Sequence, residues 1–108
     1  MSTGYVVVLI TVRDQEEGRR IAEALVARRK AACVNMVPQV SSMFRWEGKT
    51  EDEKESLLIV KSRAELFPQL EALVRELHSY EVPEIIALPI VRGHGAYLDW
   101  IGEETEAA

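Results

Sequence analysis

The sequence predicts an α+β fold in which four strands and two helices alternate as βαββαβ, followed by a short terminal helix. Three observations carry that prediction. Two capping-box patterns, Asp14 with Glu17 and Ser62 with Glu65, each follow an apolar, strand-like run. A long extended stretch flanks Gly48 between them. A last short apolar run lies between Pro83 and Pro89.

The first run, residues 5–12, is continuous and β-branched, the pattern of a strand buried on both faces. Asp14 then starts a helix, with acidic residues at the positive end of its dipole. Ile21, Ala22, Leu25 and Val26 form its apolar stripe, and Arg28, Arg29 and Lys30 close it where cations are favoured. Residues 31–46 read as extended. Pro38 inside them requires an edge position or a bulge. Gly48-Lys49 reads as a two-residue type II′ loop, which sets Trp46 opposite Glu51, Arg45 opposite Asp52 and Phe44 opposite Glu53. The chain returns over residues 51–62. Ser62 then caps a second helix with the stripe Leu66, Leu70, Leu73, Val74 and Leu77, and Pro68 sits in its tolerant first turn. Residues 84–90 form the last strand, and residues 97–104 the terminal helix. Two βαβ halves in this order define a ferredoxin-like layout.

The 108 residues suit one domain spanning 1–108. Such a chain buries roughly two-thirds of its unfolded surface without staples. The net charge of −5 argues against a nucleic-acid or anionic-membrane partner, because both need clustered cations. The lone cysteine, Cys33, cannot close an intrachain disulfide, and no apolar run reaches the roughly 18 residues of a membrane span. Cytoplasmic localisation is the expectation. The sequence contains no Gly-rich phosphate loop, no nucleophile elbow and no His-Glu-x-x-His, so no enzyme activity is expected.

The central hairpin is too long for its domain. Strands of about 14 residues span roughly 45 Å, whereas a domain of about 100 residues is roughly 34 Å across. A projecting hairpin is marginal in water, and Phe44 and Trp46 lie in register on one of its faces. The expectation is an oligomer that covers them, with Phe44, Trp46 and Trp100 at the interface.

Ala31-Ala-Cys-Val-Asn35, Ser42-Met-Phe-Arg-Trp-Glu-Gly48, Leu58-Ile-Val-Lys61, His78-Ser-Tyr-Glu-Val-Pro-Glu-Ile85, Leu88-Pro-Ile90 and Tyr97-Leu-Asp-Trp-Ile101 occur in one order. Together they resemble the CutA divalent-cation-tolerance family over nearly the whole chain. The resemblance implies a ferredoxin-like homotrimer with interlocking hairpins, an architecture shared with PII-type signalling trimers, and a role in tolerance or weak binding of copper or other divalent cations. No cofactor is required. This chain has Ser79 where members usually have Pro, and it lacks a Cys at Ile10 and a His at Leu77 that some members suspected of binding copper possess.

Four residues are candidate metal ligands. Cys33 could offer a thiolate, although Ala31, Ala32 and Val34 around it also suit a small buried hydrophobe. His78 could ligate or cap a helix C-terminus. Glu81 and Glu84 could present oxygens to a hard cation or stay solvated beside the rigid Pro83. Trp46, Lys61, Tyr80 and Glu84 are candidates for an inter-subunit cleft. The charged run 51–55 reads as a solvated hairpin tip. Two alternative functions remain, a PII-like module sensing a small ligand in such clefts and a stable trimeric scaffold.

Overall fold

The computed structural model describes residues 3–107; Met1, Ser2 and Ala108, at the ends of the 1–108 span, lie outside the described residues. The elements are β1 (Tyr5–Val12), α1 (Gln15–Ala27), β2 (Cys33–Trp46), β3 (Lys49–Arg63), α2 (Phe67–Leu77), β4 (Ile85–Pro89) and α3 (Gly95–Glu104). The four strands form one antiparallel sheet in the order β2-β3-β1-β4. This is the ferredoxin-like arrangement expected from the element order, with β2 and β4 at the edges.

Strand β1 is buried on one face only. Val6, Val8, Ile10 and Val12 are buried, while Tyr5, Val7, Leu9 and Thr11 are half-buried. The inward residues meet Leu58 and Val60 of β3 and the apolar faces of both helices, including Ile21, Leu25, Leu70 and Val74, in one core cluster. The β-branched run does not distinguish a two-sided strand from one whose second face is apolar but uncovered. Helix α1 approaches the sheet closely at Gly18, where a Cβ would sit 2.9 Å from Met36 Sδ. That close contact turns the buried stripe toward Glu17, Gly18, Ile21 and Leu25, and Val26 is left exposed.

The helix ends depart from the sequence reading in instructive ways. Asp14 Oδ1 accepts the Glu17 amide as expected. Helix α1 stops at Ala27, so its basic tail lies beyond the last turn. Arg29 there takes a left-handed φ of 56° and donates to the carbonyls of Glu103 and Glu104 at the C-terminus of α3. Ser62 caps no helix. Its hydroxyl donates to the Lys30 carbonyl, and a 3-10 turn over Ala64–Leu66 leads into α2. The α2 stripe is as expected, with Leu66, Leu70, Leu73 and Val74 buried and Pro68 in the first turn.

The hairpin projects as its length requires, and the molecule measures 44 × 28 × 23 Å. Pro38 sits in the register shift between Val37 and Val40, the bulge its missing N–H demands. The tip differs from expectation by two residues. Glu47 (φ 50°) and Gly48 (φ 80°) are both left-handed, which makes the loop type I′. Trp46 therefore pairs with Lys49 and Phe44 with Glu51. The type I′ twist matches that of the flanking strands, and this outweighs the cost of a left-handed glutamate. A shift of two preserves the faces, so Phe44 and Trp46 stay together, 40% and 50% exposed.

Candidate functional site

The loop between α2 and β4 carries the richest polar chemistry in the molecule. Three elements hold it. Glu17, at the start of α1, is fully buried; its Oε1 accepts the Arg13 amide and its Oε2 accepts the Ser79 amide, each at 2.9 Å. His78 Nε2 donates to the Thr11 carbonyl of β1 at 2.7 Å, and Nδ1 accepts the Tyr80 amide at 3.0 Å. That pair of bonds fixes the neutral Nε2–H tautomer. The Tyr80 hydroxyl donates to Glu55 Oε2 on β3 at 2.7 Å, and its ring lies 4.7 Å from the His78 ring.

The electrostatics follow from this geometry. Burial pushes the Glu17 carboxyl up, but its hydrogen bonding to Ser79 and to the Arg13 amide outweighs that and holds it below its ordinary value. Burial, with the bond to the Glu55 carboxylate, pushes the Tyr80 hydroxyl well above its ordinary range. Loss of hydration, then the Glu55 carboxylate, raises Glu84. Glu55 thus acts on both Tyr80 and Glu84.

The sequence-derived candidates are scattered around this loop. His78 sits in it, with both ring nitrogens engaged and its side chain fully buried. His78 is the C-cap of α2 as expected, but through its amide, which donates to the Val74 carbonyl at 2.9 Å, while its ring turns inward to Thr11. Glu81 and Glu84 are exposed. Cys33 is half-buried at the far end of the sheet, opposite Lys61, with Sγ 3.8 Å from Asn35 Oδ1. The Lys61 ammonium also reaches Asn35 Oδ1. Trp46 pairs with Lys49 at the hairpin tip. That position lies twelve steps along β3 from Lys61, about 40 Å. One chain therefore brings Tyr80 and Glu84 together but keeps Trp46, Lys61 and Cys33 away from them. Among the described residues, no three His, Cys, Asp or Glu side chains converge with metal-binding geometry.

Glu17 and Glu55 were not singled out as site residues by sequence reasoning. Glu17 had a helix-capping role that accounted for it, and nothing local reveals what its second oxygen accepts. Glu55 closes an acidic run that reads as solvated, yet it is only 8% exposed because the loop folds over it.

A ferredoxin-like sheet with one open apolar face, a projecting hairpin and a polar loop stapled beside it defines a class of small ferredoxin-like α+β proteins. The family model described as CutA1 divalent ion tolerance protein matches residues 6–104, and the chain belongs to that family. It is 52% identical over 99 residues to the divalent-cation tolerance protein CutA of Thermus thermophilus, covering 92% of this chain and 96% of that one. The solved structure of the divalent cation tolerance protein Cut A1 from Thermus thermophilus superposes with a TM-score of 0.93 at 51% identity, covering 94% of this chain and 99% of that one. The chloroplastic CutA protein of Arabidopsis thaliana is 44% identical over 100 residues; those residues are 93% of this chain but only 55% of that longer protein.

Proposed function

We propose that this chain is a non-catalytic divalent-cation tolerance protein that acts as a cytoplasmic homotrimer and binds copper or another divalent cation weakly. The reading rests on the family match, and the Glu84 carboxyl, raised first by loss of hydration and then by the Glu55 carboxylate, offers an acidic oxygen at this loop. A divalent ion relieves such repulsion, and carboxylate oxygens suit hard cations. Glu81 and Glu84 are the ligands assigned to it. Cys33 and the engaged His78 would join only through rearrangement or from a neighbouring copy. The lone thiol accords with a reducing compartment. Native mass spectrometry with Cu²⁺ and Mn²⁺ tests the reading. Stoichiometric adducts that Glu84→Gln removes are expected, and no adduct at high-micromolar metal would refute it.

The separation of Trp46 and Lys61 from Tyr80 favours a second reading. In a threefold assembly, the hairpin tip of one copy would bring Trp46 to the Tyr80 loop of the next and form an inter-subunit cleft, with Lys61 contributed from the sheet. Phe44, Trp46 and Trp100 would lie in the contacts. A small ligand in that cleft would make the protein a PII-like sensor, and thermal shifts with nucleotides and anions would reveal it as stabilisation by RT ln(1 + [L]/Kd). A stable scaffold with no ligand would be silent in both assays.

A further inference from the structure

We infer that Glu17 is the positioning residue of the Tyr80 loop: its buried carboxylate locks Ser79 to the start of α1 and thereby orients His78 toward the Thr11 carbonyl and Tyr80 toward Glu55. The proposal rests on the reading that this loop lies at the ligand-bearing site, and it adds which residue sets the loop's geometry. Glu17 lies at the N-terminus of α1, far in sequence from residues 78–80, and its two oxygens are divided between two backbones. One accepts the Arg13 amide, which is intrinsic to the helix start. The other accepts the Ser79 amide, which the helix does not need. A cap alone requires no burial, yet the Glu17 side chain is completely buried.

Burying a carboxylate is costly unless its lone pairs are satisfied, so the Ser79 amide is a required partner of Glu17. Fixing Ser79 fixes its neighbours. The His78 ring is confined between the Thr11 carbonyl and the Tyr80 amide, and His78 Nδ1 lies 3.9 Å from Glu17 Oε1. Tyr80 then has one direction in which to extend, and its hydroxyl meets Glu55. The bonds join α1, β1 and β3 to one loop, so the loop is placed by side chains from three elements instead of by its own turn chemistry.

Amide hydrogen exchange by NMR on the full chain tests this. In Glu17→Gln, whose single acceptor oxygen cannot serve both amides, exchange at Ser79 and Tyr80 should rise about fivefold to tenfold, the loss of roughly one net hydrogen bond. Exchange at the core amides of Val8 and Leu58 should rise much less. Histidine nitrogen shifts should show His78 leaving its single tautomer. A uniform rise at every amide would reveal a general stability role and overturn the proposal, as would unchanged protection at Tyr80. If the variant fails to fold, the wild-type chain decides. The amides of Arg13, Ser79 and Tyr80 should open together under mild denaturant, and independent opening would overturn the proposal. Mn²⁺ titration of the same samples separates the two ideas. Affinity should fall by a similar factor in Glu17→Gln. A wild-type chain that binds no Mn²⁺ counts against the cation reading, while the exchange pattern still decides the role of Glu17.

Discussion

The two faces of the one sheet differ sharply. On the helix side, Val8, Ile10, Val12, Leu58 and Val60 are wholly buried beneath α1 and α2. On the other side, Val7, Leu9, Leu57 and Ile59 are half-buried, and Ile86 and Leu88 on the β4 edge are 50% and 49% exposed. Helix α3 covers only part of that second face, anchored where Arg63 donates to the Thr105 hydroxyl and the Gly102 carbonyl. Both faces are apolar, but only one is closed by its own chain. The first face accounts for the stability of the subunit, and the second carries apolar surface that folding of one copy leaves unburied.

The largest effects should come from the closed face. Leu58→Ala removes a fully buried side chain from the middle of β3 and should cost about 2–5 kcal/mol in denaturant unfolding. A cost below about 1 kcal/mol would mean that the two faces are energetically alike.

The open face should answer to a different measurement. Leu88→Asp places a charge at a half-exposed position opposite Val7. Helical circular dichroism should be retained, while light scattering should show loss of the oligomer at micromolar concentration. An assembly that survives the charge would remove β4 from the interface and shift the burden to the hairpin.

Acid should probe the seam between the core and the loop. Glu17 has a folded pKa below the ordinary 4.5, so its contribution is fully present above about that pH and is lost as the pH falls toward the folded value. Unfolding midpoints of the wild type should therefore drop below about pH 4.5, and those of Glu17→Gln should drop less over the same window. Parallel curves for the two would show that the buried carboxylate is not what acid releases.

How far the sequence reaches follows the same division. The closed face is written in local patterns, since the α2 stripe and the strand run announce themselves by period, and Pro38 forces its own bulge. What the sequence does not reveal depends on distant groups. Ser62 carries a capping motif but spends its hydroxyl on Lys30, because the chain passes there at a separation that no window contains. His78 has two structural partners, one of them 67 residues away. The open face of β1 looks buried because apolar content reports what must be covered and does not say by which chain. The family resemblance supplied the likeness of the whole, yet it could not show that Trp46 and Lys61 lie far apart in one copy.

The smallest effect should come from the hairpin tip, and it distinguishes two turns. In a type II′ loop of Gly48-Lys49, Glu47 would lie in the strand, and its replacement by Asn would weaken a β position. In the observed loop Glu47 is left-handed at φ 50°, a conformation that costs an ordinary L-residue about 1–2 kcal/mol and that Asn tolerates. Glu47→Asn also creates an Asn-Gly pair, the favoured type I′ sequence. The variant should therefore gain about 0.5–1 kcal/mol in unfolding free energy, with Trp46 still opposite Lys49. Because the tip projects from the core, the slowing of exchange should be largest at Trp46 and Lys49 and smaller at Val8. A loss of stability instead would place the loop one residue further along and pair Trp46 with Glu51.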